Sequence, residues 1–329
     1  MSGSAKFDGQ VAERVWVCGH NGMVGSAVAR HLKARGTDVL TVARSDLDLR
    51  DAAAVLAWVG THRPDRIIVA AGTVGGIAAN LERPADFIFD NLAIATSVIE
   101  AARRVGCRKL AYLAASCIYP RDAEQPLRES SLLTGPLEPT NQPYAVAKIA
   151  GIQLCSAYRR QYGVDFISVV PPNIYGPGQH MDPAASHVCG GLMNRIHHAH
   201  ETGAETVTVW GSGRPTREFL YIDDLAVGLL TALDFYSDIE PINIGSGHSV
   251  SIYELSKAIA STIGYKGNLV FDVTKPDGMM QKALDGERIR HLGWVPTTSI
   301  QDGLKRTYEW YRSTLNSKKN LDGVIDTIH

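Results

Sequence analysis

Neither sign of charge is in excess in this 329-residue sequence, where 33 lysines and arginines face 34 aspartates and glutamates for a net charge of −1. No global field draws such a chain to nucleic acid or to an anionic membrane, so an anionic ligand must be met by locally placed arginines. No segment approaches eighteen consecutive apolar residues, and the opening Met1-Ser2-Gly3-Ser4-Ala5-Lys6-Phe7-Asp8 has neither the basic flank nor the apolar stretch of a secretory leader. These absences point to a cytoplasmic protein without nucleic-acid or membrane partners. Cysteine is scarce: Cys18, Cys107, Cys117, Cys155 and Cys189 are odd in number, widely spaced and free of any Cys-x-x-Cys pair. That pattern argues against disulfides and structural zinc, and no metal site is expected. Internal repeats, low-complexity tracts and long linkers are also lacking, so the chain should form one compact unit around a cleft.

What the sequence does have is apolar material in short, spaced blocks. A hydrophobic content of 45 % supports a sizeable core, and 20 % charged residues suits a soluble surface. The length allows one large α/β domain plus a smaller lobe. β-Branched runs at 15–17, 39–42, 67–70, 110–113 and 166–170 alternate with helical stretches near 24–35, 52–59, 91–104 and 144–162. Their apolar continuity predicts strands covered on both faces, hence an α/β fold with a Rossmann-type doubly wound parallel sheet. From about residue 174 glycine, proline, histidine and methionine become frequent and the alternation fades. The expected division is a dinucleotide-binding domain of residues 1–173 and 218–247, with 218–247 returning to the sheet, and a smaller C-terminal substrate lobe of residues 174–217 and 248–329.

Gly19-His20-Asn21-Gly22-Met23-Val24-Gly25 follows the first strand and opens a helix. Glycines there permit a tight turn and close backbone approach, and the helix N-terminus offers amide donors to a pyrophosphate. An NAD-preferring site would end the second strand with an acid for the ribose hydroxyls, yet this strand closes as Val42-Ala43-Arg44-Ser45. The Arg44 fork suits a 2′-phosphate, which favours NADPH over NADH, although Asp46 or Asp48 could approach the ribose instead. Further along, Tyr144 and Lys148 stand four apart. On a helix they share one face. There the ammonium can hold the phenol close to its anionic form, for proton exchange with a substrate hydroxyl or ketone while a nicotinamide moves hydride. The same spacing also describes an ordinary exposed helix pair, and the glycine turn upstream favours the catalytic reading.

Several longer stretches carry a resemblance: Val74-Gly75-Gly76-Ile77, Ser116-Cys117-Ile118-Tyr119-Pro120, Glu138-Pro139-Thr140-Asn141-Gln142-Pro143-Tyr144-Ala145-Val146-Ala147-Lys148, Asn173-Ile174-Tyr175-Gly176-Pro177, Ser186-His187-Val188, Val209-Trp210-Gly211-Ser212-Gly213, Arg217-Glu218-Phe219-Leu220 and Lys275-Pro276-Asp277-Gly278. With the glycine turn they make nearly the whole chain resemble the GDP-L-fucose synthases, extended short-chain dehydrogenases/reductases that convert GDP-4-keto-6-deoxy-D-mannose to GDP-L-fucose. The resemblance implies that Cys117 and His187 are the acid/base pair that exchanges protons beside the C4 ketone and inverts C3 and C5. It implies that Tyr144, assisted by Lys148, then protonates the C4 oxygen as hydride arrives from NADPH. The implied NADP(H) contacts are Gly19, Asn21, Gly22, Met23, Val24, Gly25, Arg44, Asp48, Leu49, Leu113, Ala115, Ser116, Lys148, Pro171, Asn173, Ile174 and His187. Asn173, Arg195, Trp210, Arg217, Asp277 and Lys282 are placed against the GDP-4-keto-6-deoxyhexose substrate, guanidinium forks suiting the diphosphate and Trp210 offering an aromatic face. A homodimer is implied as well, built on the Tyr144 helix and the helix near 91–104, with Ile149, Ile152 and Ala157 available to a partner.

The chain departs from this family at several positions. Ala115 stands where the family carries a serine that hydrogen-bonds the substrate C4 oxygen, and Ser116 should point the other way if the segment is extended. Thr73 replaces a lysine, Asn21 an arginine, and Gln281 an arginine beside Lys282. Impaired activity, a relaxed substrate range or a deliberate serine-to-alanine replacement would each account for Ala115. His197-His198-Ala199-His200 lacks acidic or cysteine companions and reads as a solvated helix face, and Asp223-Asp224 reads as a helix N-cap and first-turn acid. Two other functions stay open: an epimerase or reductase of another 4-keto sugar nucleotide such as a dideoxy sugar or heptose, and a catalytically silent GDP-sugar-binding protein.

Overall fold

The computed structural model describes residues 13–182, 186–275 and 277–325, with side chains as far as 317. The opening residues read for a leader, and Pro276, lie outside the described residues. The first half alternates strand and helix: β1 (Arg14–Cys18), α1 (Met23–Ala34), β2 (Asp38–Leu40), α2 (Ala52–His62), β3 (Arg66–Val69), α3 (Ile77–Glu82), α4 (Pro84–Arg104), β4 (Lys109–Leu113), α5 (Gln142–Tyr162) and β5 (Asp165–Val170). Then follow β6 (Asn173–Tyr175), α6 (Val188–Thr202), β7 (Thr206–Trp210), β8 (Thr216–Tyr221), α7 (Ile222–Phe235), β9 (Ile242–Asn243), β10 (Ser249–Ser251), α8 (Ile252–Ile263), β11 (Asn268–Asp272), β12 (Gln281–Lys282), α9 (Glu287–His291) and α10 (Ile300–Ile325).

The large sheet is parallel, in the order β2-β1-β3-β4-β5-β9. Alternate side chains of β1 fall into different cores. Val15 and Val17 pack with α1, α7 and the later elements, whereas Trp16 and Cys18 pack with α2, α4 and α5. A strand buried on both faces in this way needs apolar residues at every position, which is why its sequence shows no polar alternation. The strand order reverses beside β1, where β2 and β3 flank it on opposite sides, so a crevice opens at their carboxyl ends.

The smaller sheet joins β10, β8 and β12, with β6 beside β8, and β7 pairs with β11 apart from both sheets. Of the segment expected to return to the large sheet, β9 does so and α7 lies against α1 through Arg30 and His31 to Asp223. β8 does not. Its buried Glu218 carboxylate instead accepts from the amides of Ser246, Gly247 and Leu284, tying β8 to the later loops. α4 starts at Pro84, ahead of the expected 91, because proline is tolerated in a first helical turn.

Candidate active site

The glycine turn is shaped by contacts that a side chain would block. Gly19 has φ +83°, and a Cβ there would meet the Ala71 backbone at 2.8 Å. At Gly25 a Cβ would lie 2.1 Å from the Gly19 carbonyl oxygen, so helix and turn touch backbone to backbone. The Gly22 amide donates to that same oxygen at 2.9 Å. Helix α1 carries no side-chain cap and no acid in its first turn, leaving its positive end uncompensated for a pyrophosphate. These features fit a dinucleotide. Asn21 and Gly22 are exposed, Met23 is half-buried, and Val24 is buried beneath them.

The remaining expected cofactor residues gather along the same edge of the parallel sheet. Arg44, Asp48 and Leu49 follow β2; Leu113, Ala115 and Ser116 end or follow β4; Pro171, Asn173 and Ile174 follow β5. Arg44 is exposed, and no hydrogen bond or ion pair is seen for it among the described residues. The carboxylate of Asp48 accepts from Arg50 Nη2 at 2.6 Å and Nε at 3.0 Å, so Arg50 holds it in place beyond β2. That engagement holds Asp48 down to about 2, with the Arg50 hydrogen bonds as the leading cause.

At the reacting end, Pro143 lies in the first turn of α5 and sets the helix that carries Tyr144 and Lys148. The Lys148 ammonium is buried, donates to the Leu113 carbonyl at 3.0 Å, and stands 5.1 Å from the Tyr112 ring centre and 5.8 Å from that of Tyr144. Burial pulls it down to about 8, a nearby Cys117 opposing. Burial also holds the Tyr144 phenol well above its ordinary value, Cys117 and Tyr112 adding to the effect. Lys148 gives one of its three N–H donors to the carbonyl on β4, and burial is the leading cause of the raised phenol. At neutral pH the Tyr144 phenol carries its proton.

Cys117 lies buried in a single 3₁₀ turn, Ser116–Ile118, directly after Ala115. Burial raises its thiol above the ordinary value, against the opposing pull of Lys282 and Lys148. His187 occupies the N-cap position of α6 and is exposed. Crowding lowers its imidazole below the ordinary value, with help from Lys282 and His180. Lys282 therefore sits within electrostatic reach of both groups, on β12 opposite Arg217 of β8. Cys117 thus lies within electrostatic reach of Tyr144, Lys148 and Lys282, and His187 within reach of Lys282, with the thiol protonated and the imidazole neutral at neutral pH. Ala115 is extended (φ −158°, ψ 153°) and partly exposed, while Ser116 starts the turn and is buried.

Toward the small sheet, Trp210 is 66 % exposed at the end of β7 with the Lys275 ammonium 5.7 Å from its ring. Asp277 accepts from the Ser212 amide at 2.6 Å and hydroxyl at 2.8 Å. Arg217 is half-buried nearby, and Arg195 gives part of its guanidinium to the carbonyls of Thr208 and Gly191. A cavity of about 460 Å³, lined among others by Arg121, Gln125, Glu138, Met280 and Gln281, opens beside Lys282. Asn91, absent from the expected site, donates to the Thr73 and Phe87 carbonyls. Its Oδ1 is unpartnered among the described residues and would lie 2.6 Å from a Cβ added at Gly72, where Lys148 Nζ would lie 3.5 Å away. An asparagine inside an apolar helix was its only signal in the sequence.

Two expected decoys behave as structural residues. His197 meets the Tyr308 hydroxyl at 3.1 Å, and among the described residues no cluster of metal-ligating side chains occurs. Asp223 and Asp224 lie in the first turn of α7, whose N-cap is Tyr221, which corrects the capping assignment. The Asp224 carboxylate instead accepts from the amides of Thr297 and Thr298.

A doubly wound sheet with a glycine turn at its switch point and a Tyr-x-x-x-Lys helix packed beside its fourth strand defines a dinucleotide-dependent enzyme of the extended short-chain type. A profile of the NAD dependent epimerase/dehydratase family matches residues 15–245, and the chain belongs to that family. It is 48 % identical over 317 residues to putative GDP-L-fucose synthase 2 of Arabidopsis thaliana, covering 96 % of this chain and 97 % of that one. It is likewise 48 % identical to the GDP-L-fucose synthase of Sinorhizobium fredii, covering 92 % and 96 %. Among solved structures, a GDP-D-glycero-L-gluco-heptose synthase from Campylobacter jejuni, in the presence of NADPH, is similar with a TM-score of 0.86 at 30 % identity, covering 92 % of this chain and 99 % of that one.

Proposed function

We propose that this protein is an NADPH-dependent 3,5-epimerase and 4-reductase that converts GDP-4-keto-6-deoxy-D-mannose to GDP-L-fucose. What supports this reading is the electrostatic proximity of Cys117 to Tyr144, Lys148 and Lys282, and of His187 to Lys282, in a chain 48 % identical to two GDP-L-fucose synthases and 30 % identical to the heptose synthase. The C4 ketone acidifies the flanking C–H bonds. His187, neutral at physiological pH, takes a proton from C3 or C5, and the Cys117 thiol returns one on the opposite face. Lys282 between them steadies the developing enolate charge. Bound NADPH supplies the hydride for C4. Tyr144 gives its phenolic proton to the C4 oxygen, and the Lys148 ammonium stabilises the phenolate left behind. The glycine turn and Arg44 hold the dinucleotide, with residues 1–173 and 218–247 as the cofactor domain. Residues 174–217 and 248–329 then form the substrate lobe, with Trp210, Arg217, Arg195, Asp277 and Asn173 at the GDP end. A soluble cytoplasmic enzyme accords with the balanced charge and with helices none of which, among the described residues, is long and apolar enough to cross a membrane.

The experiment is an incubation with GDP-4-keto-6-deoxy-D-mannose and NADPH, followed by separation of the GDP-sugar products. GDP-L-fucose formed with one NADPH oxidised per sugar is expected. Sugar turnover without cofactor oxidation would mean an epimerase only, and binding without turnover would mean a silent homologue.

Cofactor preference should follow Arg44, whose planar fork matches a phosphomonoester that NADH lacks. Arg44→Ala is expected to weaken NADPH binding by about 1–3 kcal/mol, the scale of a charge-assisted hydrogen bond, and to leave NADH nearly unaffected. Equal efficiency with the two cofactors in the parent protein would contradict this.

A homodimer through the outer faces of α4 and α5 also belongs to the reading. Ile149 and Ile152, expected to meet a partner, are buried in their own subunit beneath α4. The exposed Phe89, Val146 and Ala157 supply the available contact surface. Light scattering at micromolar concentration should report twice the 35.6 kDa chain mass. A single chain mass would count against the dimer.

A further inference from the structure

Beside the proposed dinucleotide site lies a charge cluster that the reaction does not use. Arg50 donates through Nε and Nη2 to the Asp48 carboxylate, at 3.0 and 2.6 Å, and through Nη1 to Asp90 at 2.9 Å. The second oxygen of Asp90 accepts from the Thr73 hydroxyl at 2.7 Å. Asp48 follows β2, Thr73 follows β3, and Asp90 lies in the opening turns of α4. The cluster therefore borders the crevice at the switch point, on the side that Arg44 occupies. Arg44 is close enough for its charge to stabilise both carboxylates, yet it is hydrogen-bonded to neither.

Two acids beside one arginine are a poor setting for a 2′-phosphate. Unneutralised, they would hold the guanidinium for themselves and repel a group bearing about −1.5 to −2 charges. Carboxylates beyond the second strand are also the acceptors that NAD-preferring sites use for ribose hydroxyls. Arg50 occupies both acids at once, with a bidentate grip on Asp48 and a separate donor on Asp90.

We propose that Arg50 is a specificity-determining residue for the dinucleotide: by neutralising Asp48 and Asp90 it leaves Arg44 available to the 2′-phosphate. It acts through Arg44 as a positioning residue and touches no reacting atom. The inference rests on the NADPH reading above.

The test is calorimetric titration of the purified protein with NADP⁺ and, separately, NAD⁺, with thermal melting to verify that each variant is folded. The parent should bind NADP⁺ more tightly. Arg50→Met should lower the ratio of NADP⁺ to NAD⁺ affinity by at least about tenfold, the scale of one charge interaction near a surface. Arg50→Lys should keep most of the ratio. Adding Asp48→Asn and Asp90→Asn to Arg50→Met should recover it, an outcome that a merely structural role for Arg50 does not produce. An unchanged ratio in Arg50→Met, or equal losses for both dinucleotides without rescue by the two asparagines, would overturn the assignment while leaving NADPH use intact. A parent protein with equal affinity for both dinucleotides would overturn the NADPH reading and the Arg50 assignment with it.

Discussion

Ala115→Ser should accelerate reduction at C4 by at least about tenfold with little change in substrate affinity. A methyl group cannot donate to the oxygen that gains charge as hydride arrives, and losing one such donor typically costs on the order of 10²–10³ in rate. The extended, partly exposed Ala115 sits directly before the turn that carries Cys117, so a hydroxyl there would reach the pocket without displacing a core side chain. Ser116 is buried at the start of that turn and is no direct replacement. Since the added contact strengthens only as charge develops, it should act on turnover more than on binding. Single-turnover assays of both forms at saturating NADPH measure the difference. A serine variant no faster than the parent would mean that C4 oxygen stabilisation comes from elsewhere.

Cys117→Ser should suppress deuterium uptake at the carbons flanking the ketone by at least about 100-fold, the lower end of what a positioned acid or base contributes. Serine fills nearly the same space in the 3₁₀ turn, so packing against α5 should survive. Its hydroxyl is a far weaker acid than the thiol, whose proton Lys282 and Lys148 already help to loosen. NADP⁺ affinity, measured on the same sample, should stay within about twofold, because in the proposed mechanism the thiol exchanges protons with the sugar and does not touch the dinucleotide. Exchange at the parent rate would make Cys117 a buried structural residue and remove it from the mechanism.

The parts of this protein that were legible in the sequence are those fixed by local geometry. Gly19 and Gly25 were legible because a left-handed turn and a backbone contact admit no Cβ, and Tyr144 with Lys148 because a helix places residues four apart on one face. The continuous apolar strands likewise announced a sheet covered on both sides. Contacts between distant segments were not legible. Lys148 gives one of its N–H donors to Leu113, 35 residues away, and burial raises the Tyr144 phenol, neither of which local spacing reveals. The grip of Arg50 on Asp48 and, 40 residues further on, Asp90 gave no signal in the sequence. Ile149 and Ile152 had the spacing of an interface, but periodicity reports that a face is buried and not which chain buries it.

The most direct test of a single pocket that both epimerises and reduces is time-resolved proton NMR of GDP-4-keto-6-deoxy-D-mannose with the protein in deuterated buffer. Without NADPH, the C3 and C5 signals should disappear as His187 and Cys117 exchange protons with solvent, while the ketone persists. When NADPH is added, the signals of GDP-L-fucose deuterated at C3 and C5 should grow in. Formation of a C4 alcohol that retains the original protons at C3 and C5 would contradict this, because reduction would then proceed without the acid/base pair that defines the pocket.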